Sequence, residues 1–128
     1  MNTKLLMASS AVFLGAIGVL ASFFPQEILA LTGIEETRIS VLLIQMMAAL
    51  YMAFGMLNWM AKGNIMGGIY YRPVTMGNVI HFGVGGIALI KAALAMPAAT
   101  WLWVATIPYS LFAVLYAKVF FTHPVKIE

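Results

Sequence analysis

The residues of this sequence that could do chemistry are polar side chains inside long apolar stretches. With the tyrosine hydroxyls included, they are Gln45, Tyr51, Asn58, Asn78, His81, Lys91, Tyr109, Tyr116 and Lys118. Each is costly to hold in hydrocarbon, and each is therefore by default a hypothesis of function. No Asp or Glu lies within these stretches, which argues against proton-coupled cation exchange through a carboxylate.

Among the ionisable and amide side chains of this set, His81 lies deepest. It lies roughly 12 Å from the nearer end of its stretch, counted at about 1.5 Å per residue. Tyr116 lies at a similar depth, as do Ser9 and Ser10. The sequence therefore predicts an interior polar pocket of His81, Tyr116 and Ser10. Such a pocket can satisfy the imidazole structurally, relay protons or hold a ligand, and all three interpretations stay open.

Gln45 and Lys91 lie at matching depths on the opposite side, about 9 Å from that end of their helices. The pair predicts an outer polar pocket, with an acidic residue of the first loop above it. The alternative for Lys91 is a long stem that carries its ammonium to the membrane surface. Three further residues are expected only to cap helix ends or reach the surface in this way: Asn58, Asn78 and Lys118.

Several reaction classes are excluded by what the sequence lacks. Cysteine is absent, which removes thiolate nucleophiles and thiolate metal ligands. No glycine-rich phosphate loop, nucleophile elbow or metalloprotease helix motif is present. His81 and His123 lie at different depths, which disfavours a haem held between them. We predict no catalytic residue, no metal site and no cofactor, and the pattern favours a protein that is not an enzyme.

Four apolar stretches must position these side chains, and they cover residues 5–24, 39–61, 73–96 and 98–121. A helix needs about 20 mostly apolar residues to cross a hydrocarbon core of roughly 30 Å. Charged residues make up only 9% of the chain, whereas the helices of a soluble bundle carry charged outer faces. Short connections, with no more than a brief turn at 28–31, leave consecutive helices antiparallel. The sequence predicts one all-α domain over residues 1–128, an integral membrane four-helix bundle in up-down-up-down order.

Basic residues divide unequally between the two sides of the predicted bundle. Five share the side of both termini: Lys4, Lys62, Arg72, Lys118 and Lys126. The other side has Arg38 and Lys91. By the positive-inside rule, both termini are predicted to be cytoplasmic. The basic residues form no cluster typical of nucleic-acid binding, so nucleic acid is not an expected partner.

Small residues recur at helical spacing and predict the inward faces of two helices. One stripe is Ala11, Gly15, Gly18 and Ser22, and the other is Gly77, His81, Gly85, Ala88 and Ala92. Such stripes let helix backbones approach closely. Within the last stretch, Pro108 is predicted to kink the helix, and either Thr106 or a neighbouring helix is expected to satisfy the carbonyl of Val104 that the proline leaves free.

Features of the first half of the chain resemble a known family. They are Pro25 at the end of the first stretch, the segment PQEILALTGI at 25–34, Arg38 at the start of the second stretch, and Ala53-Phe54-Gly55 within it. Together they resemble the small four-helix bacterial membrane proteins of the DoxX-like group. The resemblance implies a four-helix fold and a bacterial inner-membrane setting, and it supplies no activity or catalytic residue.

Two classes of function stay open. The first is a non-enzymatic membrane component, either an accessory subunit or a lipid- or quinone-binding protein, and the lack of catalytic motifs favours it. The second is an oligomeric transporter of a small anion or weak acid, for which His81 and Lys91 supply polar groups. The expected partners are membrane lipid and either another protein or further copies of this chain.

Overall fold

The computed structural model describes residues 2–64 and 66–122, and within these ranges it contains helices and no strand. The helices are α1 (Thr3–Phe23), α2 (Pro25–Thr32), α3 (Arg38–Ala61), α4 (Arg72–Ala95) and α5 (Thr100–Phe121), with a 3₁₀ turn at Ile69–Tyr71 before α4. His123 and Lys126, which enter two of the sequence arguments, lie outside the described residues.

Four helical segments are long and apolar enough to cross a membrane. They are Thr3–Phe23, Arg38–Ala61, Ile69–Ala95 and Thr100–Phe121. The all-α class and the four membrane-length helices are therefore confirmed, because each segment coincides with one predicted stretch. Length and composition mark the chain as a small membrane protein.

The first loop contains more helix than the sequence predicts. Instead of a brief turn at 28–31, α2 extends over eight residues and begins with Pro25 in its first turn. It ends at Gly33, whose φ of 72° lies in the left-handed region that glycine adopts without strain. The backbone N–H of Ile34 donates to the carbonyl of Leu29 (3.1 Å), which closes the helix end.

Two compact units divide the chain. One is Met7–Lys62, which holds most of α1 with α2 and α3, and the other begins at Gly63, holds α4 and α5, and takes in the residues before Met7. Within the first unit α1 and α3 are antiparallel, since Ser10 contacts Asn58 while Gly18 lies against Met52. The single-domain organisation and the cytoplasmic termini stay predictions.

Antiparallel packing also holds α4 and α5 together in the second unit. The guanidinium carbon of Arg72 lies 5.1 Å from the ring centroid of Phe120, near the start of α4 and the end of α5. Further along α4, Gly85 lies against the ring of Tyr109. The two helices therefore place the interior of α4 opposite the middle of α5.

The helix α5 runs from Thr100 to Phe121 with Pro108 inside it. The hydroxyl of Thr106 donates to the carbonyl of Leu102 (2.7 Å), four residues earlier. The prediction that Thr106 serves the carbonyl of Val104 is therefore wrong, because the nearer acceptor for a helical threonine is the carbonyl one turn back. A kink at Pro108 stays a prediction.

Candidate functional site

His81 of α4 forms a polar contact with Tyr109 of α5. The ring nitrogen Nε2 of His81 is 3.1 Å from the hydroxyl oxygen of Tyr109, and the ring centroids are 5.5 Å apart. Tyr109 is buried and His81 half-buried. Gly85, one turn beyond His81, makes the approach feasible, because a Cβ there would lie 2.8 Å from Cε1 of Tyr109.

An aromatic cluster surrounds this contact, with Phe82 at its centre. Ring centroids of four residues lie 4.9–5.7 Å from that of Phe82: His81, Tyr109, Phe112 and Tyr116. Tyr116 stacks on Phe82 with an interplanar angle of 6°, and both residues are fully buried. Tyr116 thus lies beside the ring that neighbours His81. The expectation that His81 and Tyr116 share one polar pocket stays a prediction.

Residue depths estimated from the sequence do not indicate Tyr109 as the partner of His81. Depths along a helix follow from the rise per residue, but a long side chain reaches well beyond its own Cα. Tyr109 lies seven residues before Tyr116 on α5 and still brings its hydroxyl to His81. In the sequence, Gly85 indicates only that a neighbouring group can approach α4 closely at this position.

Ser10 belongs to the other compact unit, and its described partner is Asn58. The amide nitrogen Nδ2 of Asn58 donates to the Ser10 hydroxyl oxygen (3.1 Å), and that hydroxyl donates to the carbonyl of Met7 (3.0 Å). Both side chains are fully buried. Grouping of Ser10 with His81 stays a prediction.

The expectation that Asn58 and Asn78 cap helix ends or reach the surface is wrong. Both are fully buried. Asn58 bridges two helices, and the Nδ2 of Asn78 donates to the carbonyl of Val74 (2.9 Å) within α4. A buried amide needs such partners because its desolvation is otherwise uncompensated. Lys118, by contrast, is exposed.

Gln45 lines an open groove at the start of α3, which we call the outer groove. It measures about 630 Å³ and is lined by Gln26, Glu36, Thr37, Arg38, Val41, Leu42 and Gln45. Thr37, one of these lining residues, belongs to a capping box at the start of α3. In this capping box the N–H of Ser40 donates to the Thr37 hydroxyl (3.0 Å), and the N–H of Thr37 donates to the Ser40 hydroxyl (2.8 Å). Lys91 is exposed on α4, in the other unit. Pairing of Gln45 with Lys91 stays a prediction.

A second groove runs along α1 and α3, and we call it the α1–α3 groove. It measures about 420 Å³ and is lined by Ala11, Val12, Gly15, Val19, Met52, Gly55, Met56 and Trp59. The helix backbones approach closely beside it, since a Cβ on Gly55 would lie 2.9 Å from the backbone nitrogen of Gly15. A Cβ on Gly15 itself would meet nothing within 4 Å, so this residue opens into the groove.

Hydropathy does not reveal this groove, because its lining residues are apolar, like the rest of the stretches that contain them. The predicted stripe places Gly15 and Gly18 on an inward face, and Gly18 is indeed buried. The stripe predicted on α4 is wrong at Ala88, which is exposed. Stripes of small residues indicate close approach but not which of their members meets another helix.

Lys62 directly follows α3 and contacts Trp59. Its Nζ is 2.8 Å from the centroid of the Trp59 ring, an arrangement typical of a cation–π interaction. Trp59 is itself a wall of the groove. Trp59 therefore contacts both the groove and the lysine that follows α3.

The described residues offer no metal centre of the usual kind. Over 2–64 and 66–122, no group of three or more His, Cys, Asp or Glu side chains could hold a metal ion. Comparison of the chain with family models, curated proteins and solved structures finds no significant match. The class that the structure defines is a small membrane protein with four helices of membrane-spanning length. Membership in the DoxX-like group stays a prediction.

Proposed function

We propose that the protein is a non-enzymatic membrane component that holds a lipid or a quinone in the α1–α3 groove. The observation that carries this proposal is the groove itself, in which apolar residues alone line a concavity of about 420 Å³. This volume lies within the roughly 300–1,000 Å³ of small-molecule sites. An acyl or isoprenoid chain is the chemistry that suits such walls, and the indole N–H of Trp59 is a hydrogen-bond donor beside it.

The backbone of Gly15 lies against Gly55, but this contact does not itself require a glycine at position 15. In a bilayer, helices are held together largely by van der Waals contact, so an unfilled gap beside a contact weakens it. A Cβ at position 15 would meet nothing within 4 Å, so the helix contact leaves room for at least a methyl group there. The chain instead leaves this space open, which supports a bound molecule there over simple packing.

Mass spectrometry of the protein purified in mild detergent tests the proposal. We expect a lipid or quinone to remain with the chain through purification in a fixed ratio. A stoichiometric protein partner with no retained small molecule would contradict the proposal and favour an accessory subunit. A bacterial inner-membrane location is part of the proposal, and fractionation of the native membranes checks it.

Transport of a small anion or weak acid by an oligomer is a second candidate function. One observation favours it, namely that Arg38 and Gln45 line the same open outer groove. A guanidinium and an amide together suit a carboxylate or a similar anion. Uptake of a labelled weak acid by proteoliposomes that falls with Arg38→Gln would support transport. Uptake equal to that of protein-free vesicles would contradict it.

A further inference from the structure

We infer that the outer groove binds a small zwitterion, with the anionic group of the ligand on Arg38 and its ammonium on Glu36. This chemistry is shared by free amino acids and by the ethanolamine headgroup of a phospholipid. The inference does not rest on the α1–α3 groove. It goes beyond the second candidate function, because it gives the ligand a positive charge and requires no transport. Three features of the first unit support it.

The first feature is a pair of opposite charges in one groove. Glu36 and Arg38 both line the outer groove, and both are exposed. Within the residues that the structure describes, neither forms an ion pair, so each charge is available to a ligand. A simple anion would be repelled by the Glu36 carboxylate, and a simple cation by the Arg38 guanidinium. A zwitterion offers each side chain a partner of opposite charge.

The second feature is the spacing of the two charges, which Thr37 sets. Thr37 has extended backbone, with a φ of −129° and a ψ of 164°. An extended residue holds the Cα atoms on either side of it about 6–7 Å apart, twice the rise per residue of a strand. The N–H and the hydroxyl of Thr37 are both hydrogen-bonded to Ser40, which stabilises this conformation. The ammonium and the anion of one small molecule fit between side chains at this separation.

The third feature is the face that α3 presents to the groove. The lining residues of α3 follow the spacing i, i+3, i+4 and i+7, which places them on one face of the helix: Arg38, Val41, Leu42 and Gln45. Gln45 lies about 10 Å beyond Arg38 by helical rise, and the two apolar residues lie between them. They suit the apolar part of a ligand whose charges lie at Arg38. Gln26 of α2 adds a second amide to the lining, and each amide can donate and accept hydrogen bonds.

Isothermal titration calorimetry of the full chain in mild detergent tests the inference. Leucine is the first probe, and it is compared with leucinamide, which keeps only the ammonium, and with isocaproate, which keeps only the carboxylate. Phosphoethanolamine is the second probe, compared with ethanolamine and ethyl phosphate in the same way. We expect one of the two zwitterions to bind at least about tenfold more tightly than either of its own analogues, the factor that one charge-assisted hydrogen bond contributes. Tighter binding of leucine would assign a free amino acid, and tighter binding of phosphoethanolamine would assign a lipid headgroup.

Substitutions assign the two charges of the ligand separately. Glu36→Gln should abolish the preference for the zwitterion over its anionic analogue, whereas Arg38→Gln should abolish the preference over the cationic analogue. Glu35→Gln and Arg72→Gln are the matched controls, since both residues are exposed and neither lines the groove. The controls should leave both preferences unchanged. All four variants should keep the melting temperature of the unmodified chain, because each replaces an exposed side chain.

Three results would overturn the inference. The first is that neither zwitterion binds, and the second is that each binds no more tightly than its analogues. The third is that Glu35→Gln removes the preference as strongly as Glu36→Gln. Failure of the proposed function is a separate result, because it is measured as the loss of a retained lipid or quinone in Gly15→Leu. We expect Gly15→Leu to bind the zwitterion as the unmodified chain does, since Gly15 is not among the residues that line the outer groove.

Discussion

The side-chain amide of Asn58 donates a hydrogen bond of 3.1 Å to the hydroxyl of Ser10, and both residues are fully buried. This bond joins α1 to α3 close to the end of α3. It favours one register between the two helices, the one in which Gly15 lies against Gly55. The α1–α3 groove lies beside that glycine contact, so a polar pair and two glycines together shape the candidate site.

We predict that Ser10 and Asn58 are energetically coupled. In a double-mutant cycle of Ser10→Ala and Asn58→Leu, the coupling free energy should be about 0.6 kcal/mol and at most about 1.7 kcal/mol, the range of interhelical hydrogen bonds in membranes. Reversible unfolding in mixed micelles measures it. Strictly additive losses in the two single variants would show that the bond does not hold the helices in register.

Gly55 and Gly15 should respond differently to the same substitution. Gly55→Ala places a Cβ 2.9 Å from the backbone nitrogen of Gly15, and backbone cannot move aside as a flexible side chain can. We expect it to lower the free energy of unfolding by about 1–3 kcal/mol. Gly15→Ala has open space and should cost nothing measurable, as should the matched control Gly83→Ala. Equal losses at positions 55 and 15 would contradict the described helix contact.

The hydrogen bond between His81 and Tyr109 should be measurable as a stability difference. Tyr109→Phe removes only the hydroxyl, and we expect the free energy of unfolding to fall by about 0.5–1.5 kcal/mol. Tyr70→Phe is the control, because Tyr70 is 91% exposed and should show no loss. Double-mutant cycles with His81→Leu then separate the two tyrosines. Stronger coupling of His81 to Tyr116 than to Tyr109 would contradict the described contact and favour the pocket predicted from the sequence.

Reporter fusions should place both termini in the cytoplasm. The physical reason is the excess of basic residues on that side, five against two on the other. Fusions at residue 128 and in the loop at 63–68 should both give a cytoplasmic signal. A fusion within the loop at 33–37 serves as the opposite control and should report the periplasm. A periplasmic signal at residue 128 would refute the topology.

The helices themselves could be predicted from the sequence. Their ends follow from apolar length, and the observed bounds of α3, Arg38–Ala61, begin one residue before the predicted stretch at 39–61. Hydropathy does not predict α2, because a segment of eight residues that begins with a proline is too short to give a clear signal. Its Pro25 and Gly33 are nevertheless typical start and stop signals of a helix.

The side-chain partnerships could be predicted only in part. Hydropathy does not fix the rotation of a helix that is apolar all round, so neither Asn58 with Ser10 nor His81 with Tyr109 follows from the sequence alone. The stripe on α1 shows both the value and the limit of periodicity. It places Gly18 in a buried contact, yet Gly15, three residues away, opens into a groove.

The occupancy of the α1–α3 groove is the measurement that tests the central claim most directly. Native mass spectrometry in mild detergent counts the lipid or quinone molecules held per chain in three proteins: the unmodified chain, Gly15→Leu and Gly83→Leu. Gly83 is the matched control, since a Cβ there also meets nothing within 4 Å but Gly83 is on α4 and is not one of the residues that line the groove. We predict one retained molecule in the unmodified chain and in Gly83→Leu, and none in Gly15→Leu at an unchanged melting temperature. Equal occupancy in all three proteins would contradict the assignment of the groove as a binding site.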